Sequence, residues 1–134
     1  MSGTRRGILL VNLGSPASTS VGDVRRYLRE FLMDPYVIDL PWPMRKIVVS
    51  GFILPFRPRR TAHAYRRIWG PSGSPLLRHC EALRAAVAAR CELPVALAMR
   101  YGEPRLDDAI EKLLRHGIDA LLLLALYPHH ADST

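Results

Sequence analysis

A short apolar run near the start of the chain, followed at once by a turn, most constrains the fold. Residues 8–11 (ILLV) are unbroken apolar sequence, and Gly14-Ser15-Pro16 follows closely. A run this short is typical of a strand buried on both faces of a parallel sheet. Because open α/β sheets bind ligands beyond the carboxyl ends of their strands, Asn12 and Leu13 are predicted to face a site. The alternative is that residues 12–16 form only a polar turn after a core strand.

Two more strands and three amphipathic helices predict an α/β fold with a parallel sheet flanked by helices. The strands are expected over residues 93–99 and 119–126. The helices are expected from Ser20 to about Met33, from Pro75 after a Ser74 cap, and from Pro104 to a Gly117 stop. Apolar positions at helical spacing give the second and third helices their inward stripes, namely Leu76, Leu77, Cys80, Leu83 and Val87, then Leu106, Ala109, Ile110, Leu113 and Leu114.

The ends of the three strands are predicted to converge. They carry Asn12-Leu13, Arg100-Tyr101 and residues 127–130 (YPHH). The adjacent His129 and His130, with Asp132 nearby, are a weak candidate for a metal site, because neighbouring side chains on an extended segment point in opposite directions. The sequence contains neither a GxGxxG after the first strand nor a GxxxxGK[ST] loop, so a nucleotide-binding cradle has little support.

Length and charge define the class of protein and of partner. The chain has 134 residues, 49% of them apolar, which suits one folded domain rather than two. Its net charge of +7 favours an anionic partner such as nucleic acid, acidic phospholipid or a small molecule with carboxylates or phosphates. Two cysteines without CxxC spacing, no visible signal peptide and no long apolar stretch lead us to expect a cytoplasmic protein.

Two consecutive segments in the middle of the chain have unusual compositions. Trp42 to Phe56 is strongly apolar between basic residues, which indicates either a membrane-contacting lip or pocket rim, or a buried connecting helix. Residues 57–69 (RPRRTAHAYRRIW) interleave arginines with aromatic residues. That pattern suits a flat anionic ligand, bound by ion pairs and stacking, and it also suits single-stranded nucleic acid.

Six motifs in order resemble the N-terminal half of a ferrochelatase: GILLVNLGSP, VRRYLREFLMDPYVIDLP, ILPFRP, AYRRIWGPSGSPL, MRYGEP and LALYPHHADST. The resemblance extends from Gly7 to Thr134. It implies a Rossmann-like, chelatase-type fold whose two similar α/β halves enclose a porphyrin. It also implies the insertion of ferrous iron, a substrate, into protoporphyrin IX or coproporphyrin III in haem biosynthesis. An iron–sulfur cluster is left open, and no other cofactor is expected.

The resemblance implies porphyrin contacts at matching positions of this chain. They are Leu13 beside the macrocycle, Arg57, Tyr65 and Ser74 as porphyrin contacts, and Arg100 and Tyr101 on the metal side. The segment from Trp42 to Phe56 is similar to the lip that closes over the porphyrin and touches the bilayer in membrane-associated members. A peripheral position at the inner face of the membrane is therefore a further expectation.

Two departures from the family pattern bear on activity. Tyr-Pro-His-His replaces the family's usual Tyr-Pro-Gln-Tyr, and the Ser-Phe-His-Gly-type motif that supplies the base does not occur in this sequence. Residues 1–134 are therefore expected to form one incomplete N-terminal domain, inactive alone and in need of the C-terminal half. The alternatives are a non-catalytic tetrapyrrole-binding module and a basic nucleic-acid-binding domain. The second is disfavoured because no recognition motif is visible.

Overall fold

The computed structural model describes residues 3–127, which form two compact units. The sheet unit consists of residues 3–14 and 76–127, and the helical unit consists of residues 15–75. In chain order the elements are β1 (Arg6–Asn12), α1 (Val21–Leu32), α2 (Trp42–Ile47), a π-helical segment (Val48–Ile53), α3 (Arg57–Ile68), α4 (Pro75–Ala88), β2 (Val95–Met99), α5 (Leu106–Arg115) and β3 (Ala120–Ala125).

The sheet unit contains the predicted parallel sheet, with strand order β2-β1-β3. The central strand β1 pairs in parallel with both neighbours, so that Leu9 lies between Ala96 and Leu123. Five consecutive residues of β1, from Gly7 to Val11, are buried. The α/β fold class predicted from the sequence is confirmed.

Helices α4 and α5 cover opposite faces of β1 and β2. Leu9 and Val11 pack with Ala109 and Leu113 of α5, while Leu10 on the other face packs with Cys80 of α4. The prediction that Cys80 is a core residue is thus confirmed.

Three details of the helices predicted for this unit were wrong. Leu83 and Leu114 are exposed, although their spacing placed them on the inward stripes. The third helix begins at Leu106 rather than at Pro104, whose carbonyl instead accepts a hydrogen bond from the Met99 N–H at 2.7 Å. Pro104 therefore extends the pairing at the edge of β2.

The helical unit has its own core, made by α1, the π-helical segment and α3. Val24, Leu28 and Leu32 of α1 are buried against Val49 and Ala62. The start of α1 agrees with the prediction, since the Ser20 Oγ accepts a hydrogen bond from the Asp23 N–H at 3.1 Å. The hydroxyl of Ser18 donates to the Asp23 carboxylate at 2.6 Å and holds the pKa of that carboxyl below its usual value.

Strand β3 is an edge strand whose apolar side chains are largely uncovered. Leu122 and Leu123 point to opposite faces of the sheet and are 56% and 55% exposed. Apolar side chains exposed on both faces of an edge strand leave a surface that another polypeptide could cover. Within residues 3–127, no helix is long and apolar enough to cross a membrane.

Candidate functional site

The carboxyl ends of β1 and β2 bring three of the predicted site residues together. The Leu13 carbonyl accepts a hydrogen bond from the Tyr101 N–H at 2.8 Å, and the Asn12 carbonyl accepts one from the Arg100 N–H at 2.7 Å. The backbone of Leu13, Arg100 and Tyr101 is thus fixed as one loop pair at the edge of the sheet where α/β proteins bind ligands.

Gly14 permits this close approach of the two loops. Its φ angle is +116°, and a Cβ added there would lie 1.9 Å from the Tyr101 carbonyl oxygen. A residue with a side chain would meet both a strained backbone conformation and a backbone atom that cannot move independently. The glycine of the Gly14-Ser15-Pro16 turn therefore determines where Leu13 lies relative to Tyr101.

Side chains of this loop pair make contacts within the sheet unit. Tyr101 is buried, and the Arg100 guanidinium carbon lies 5.3 Å from the centroid of its ring. The Asn12 Oδ1 accepts from the Leu13 N–H at 2.8 Å, and its Nδ2 donates to the Cys80 Sγ at 3.3 Å. Because both ends of its amide bind the protein, Asn12 positions Leu13. The sequence predicted that Asn12 and Leu13 face a site, whereas both ends of the Asn12 amide bind within the protein.

Arg57 lies at the start of α3, on an open groove with a volume of about 680 Å³. Phe52 and Phe56 line the same groove and are 70% and 75% exposed. Arg60, one turn along α3, also lines it. Exposed aromatic rings beside two guanidinium groups can bind a flat ligand by its apolar faces and its carboxylates together.

Tyr65 lies further along α3 and packs against the core of the helical unit. Its ring meets the ring of Trp69 edge to face, with centroids 6.0 Å apart. Burial raises the pKa of the Tyr65 phenol, so that the hydroxyl stays protonated and can donate a hydrogen bond well above neutral pH.

Ser74 is buried at the end of a tight turn. The backbones of Gly70 and Gly73 pair across this turn, and the Ser15 hydroxyl donates to the Ser74 Oγ at 2.6 Å. Sequence reasoning missed Ser15 as the partner of Ser74. No local signal could have found it, because the two serines lie 59 positions apart, although each stands in a Gly-Ser-Pro tripeptide, at residues 14–16 and 73–75.

The predicted site residues therefore form two groups. Leu13, Arg100 and Tyr101 belong to the sheet unit, whereas Arg57, Tyr65 and Ser74 belong to the helical unit. His129, His130 and Asp132, the weak metal-site candidate, lie outside the described residues. Among residues 3–127, no group of three histidine, cysteine or carboxylate side chains could hold a metal ion.

Comparisons with known proteins match both groups of residues to one protein family. A family model described as Ferrochelatase matches residues 5–134. The chain is similar to the curated ferrochelatases of Stutzerimonas stutzeri strain A1501, at 56% identity, and Pseudomonas entomophila strain L48, at 57% identity, each over 132 residues. These alignments cover 98% of the chain but only 38% and 39% of the two relatives. The chain thus spans well under half the length of the curated relatives it matches.

Proposed function

The chain belongs to the ferrochelatase family, and we propose that it forms the porphyrin-binding part of an enzyme that inserts ferrous iron into a porphyrin in haem biosynthesis. The groove beside Arg57 is the observation that carries this proposal. It combines the exposed rings of Phe52 and Phe56 with the guanidinium groups of Arg57 and Arg60. A porphyrin has matching chemistry, since it is a flat aromatic ring with carboxylates at its edge.

The proposed roles of the six site residues rest on the family resemblance, and of the six only Arg57 lines the groove. Arg57 pairs with a porphyrin carboxylate, and the protonated Tyr65 hydroxyl donates a hydrogen bond. Ser74 and Ser15 hold the turn that precedes α4. Leu13, Arg100 and Tyr101 are proposed as porphyrin contacts from the family resemblance. Both protoporphyrin IX and coproporphyrin III carry the carboxylates and the flat ring that this assignment needs, so either remains a proposed substrate.

We further propose that this chain binds a porphyrin but does not insert iron. Insertion requires that two pyrrole protons leave the macrocycle, and this step needs a base. The family's Ser-Phe-His-Gly-type motif is absent from the sequence. The relatives are more than twice as long as the matched segment, so the proposed base belongs to the part of them that this chain does not match.

Contact with a membrane surface is a separate part of the proposal. Trp42, Met44 and Ile47 on α2 are exposed, as are Phe52 and Phe56 after it. The Lys46 Nζ lies 4.8 Å from the centroid of the Trp42 ring. Exposed aromatic and aliphatic side chains beside cations are typical of segments that lie in the headgroup region of a bilayer.

Titration of the chain with protoporphyrin IX, followed by the Soret band and tryptophan quenching, tests the porphyrin site. We expect saturable binding that Arg57→Ala weakens about tenfold, because a carboxylate loses its charged partner. Tyr65→Phe is expected to weaken it less, because only one hydrogen bond is lost. Arg66→Ala is the matched control, since it removes the same charge from the same helix away from the groove.

The outcomes of this titration distinguish a defined porphyrin site from the alternatives. Equal losses in Arg57→Ala and Arg66→Ala would indicate general attraction to a basic surface and would contradict a defined site. Binding of single-stranded DNA that displaces the porphyrin and disappears at high salt would favour the nucleic-acid alternative. No porphyrin binding by a chain with normal circular dichroism would reject the site in this chain.

A further inference from the structure

A second groove runs along the open edge of β2, between α4 and α5. It has a volume of about 610 Å³ and lies wholly within the sheet unit. Residues 93–97 form its floor, and they comprise the two residues before β2 and the first three residues of the strand. Glu81 and Arg84 line it from α4, and Asp108 and Lys112 line it from α5. None of the six proposed porphyrin contacts lines this groove.

The floor of the groove offers unpaired backbone groups. In a parallel ladder, alternate residues of a strand bond to the same neighbour. The Pro94 carbonyl accepts from the Ile8 N–H at 2.8 Å and the Arg100 N–H donates to Asn12 at 2.7 Å, so the even-numbered residues of β2 face β1. Val95 and Leu97 consequently point their N–H and C=O groups away from β1, where no strand of the described chain pairs with them.

The groove is closed at one end by the chain itself. The Met99 N–H donates to the Pro104 carbonyl at 2.7 Å, and Met99 and Arg105 form a bridge. The open part of the β2 edge therefore consists of the backbone N–H and C=O groups of Val95 and Leu97. Only another extended polypeptide presents donors and acceptors at the spacing that these four backbone groups require.

The charges on the wall formed by α5 are ordered along the groove. The bridge between Met99 and Arg105 places the start of α5 at the carboxyl end of β2. Ile118, just after α5, lies against Gly7 at the opposite end. Asp108 is thus nearer the carboxyl end of β2 than Lys112, by four helical residues or about 6 Å. Neither side chain forms an ion pair with another residue in the described part of the chain.

We propose that this groove binds an extended peptide segment, which adds to the sheet as an antiparallel strand beside β2. The segment carries a basic residue opposite Asp108 and, two positions later, an acidic residue opposite Lys112. Two residues of a strand span about 6.6 Å, which matches the separation of the two charges on α5. The segment runs antiparallel to β2 in this proposal, because antiparallel strand pairing is more stable per residue than parallel pairing.

Two fluorescein-labelled, C-terminally amidated peptides of identical composition test the proposal on the full chain. We expect Val-Lys-Val-Glu-Val to bind about tenfold more tightly than Val-Glu-Val-Lys-Val in fluorescence anisotropy, because the second order places like charges together. The double variant Asp108→Lys, Lys112→Asp keeps the net charge of the protein and should reverse the preference. Circular dichroism and thermal unfolding confirm that the variant is folded.

A second measurement needs no protein variant. N-methylation of the peptide at alternate amides should abolish binding in one set and leave it within about twofold in the other, since only every second amide of an added strand faces β2. Equal binding of the two peptides, preference for the glutamate-first order, or equal effects of both methylation sets would overturn the proposal. So would the absence of binding by either peptide.

Discussion

Gly14 is the single residue on which the loop pair at the ends of β1 and β2 most depends. We expect Gly14→Ala to lower the free energy of unfolding of the sheet unit by about 3 kcal/mol, because of the strained φ angle and the clash with the Tyr101 carbonyl. Urea unfolding followed by circular dichroism measures the change. Porphyrin binding should weaken as well, since Leu13 and Tyr101 would move apart.

Gly22 provides the matched control for this substitution. It lies in α1, and a Cβ added there would meet nothing within 4 Å. Gly22→Ala should therefore leave stability unchanged or raise it by about 1 kcal/mol, because alanine favours the helix. An effect of Gly14→Ala as small as that of Gly22→Ala would show that the two loops adjust to a side chain at residue 14.

Sequence patterns predicted single residues well where the interaction is local. Ser20 was predicted as the cap of α1, and its Oγ does accept from the Asp23 N–H. The partners of the Asp23 carboxylate were not predicted: they are the hydroxyl of Ser18 and the guanidinium of Arg26. The bond between Ser15 and Ser74 joins residues 59 positions apart, and no local pattern specifies such a contact.

The strands and helices were predicted more reliably than their exposed faces. The three strands and their parallel arrangement follow from short apolar runs separated by helices. Helical spacing placed Leu83 and Leu114 inward, but they are exposed, even though Cys80 and Val87 on either side of Leu83 pack in the core cluster. Periodicity shows which side of a helix is apolar, but it does not show how far the neighbouring element reaches.

The segment from Trp42 to Phe56, which contains α2 and the π-helical turns, makes the clearest prediction for an element. The double substitution Phe52→Ser, Phe56→Ser should weaken co-sedimentation with vesicles of phosphatidylcholine and phosphatidylglycerol about tenfold. Two exposed aromatic rings would then no longer be transferred from water into the bilayer. Tyr36→Ser, which removes an exposed ring outside the segment, is the control. Unchanged sedimentation of the double variant would exclude this segment as the membrane contact.

At the level of the whole chain, the site residues divide between two units. The motifs predict Arg57, Tyr65 and Ser74, together with Arg100 and Tyr101, as porphyrin contacts, and these assignments stay predictions. It could not show that Ser74 and Tyr101 would be buried, because burial depends on contacts made after the chain folds. The same dependence applies to β3, whose uncovered leucines could not be recognised from a run that looks like an ordinary core strand.

The exposed β3 and the proposal that the base lies outside this chain lead to one prediction about metal insertion. The chain alone should not raise the rate of zinc or ferrous iron insertion into protoporphyrin above background, measured by porphyrin fluorescence. Co-expression with the remaining polypeptide of a ferrochelatase relative should restore insertion, because that polypeptide supplies the base and covers β3. Leu122→Lys should reduce the restored rate, since it puts a charge on the surface to be covered. Leu83→Lys, at an exposed position of α4, should not. Insertion by the chain alone would show that its own residues can remove the pyrrole protons. The proposal that the chain binds a porphyrin but does not insert iron would then be wrong.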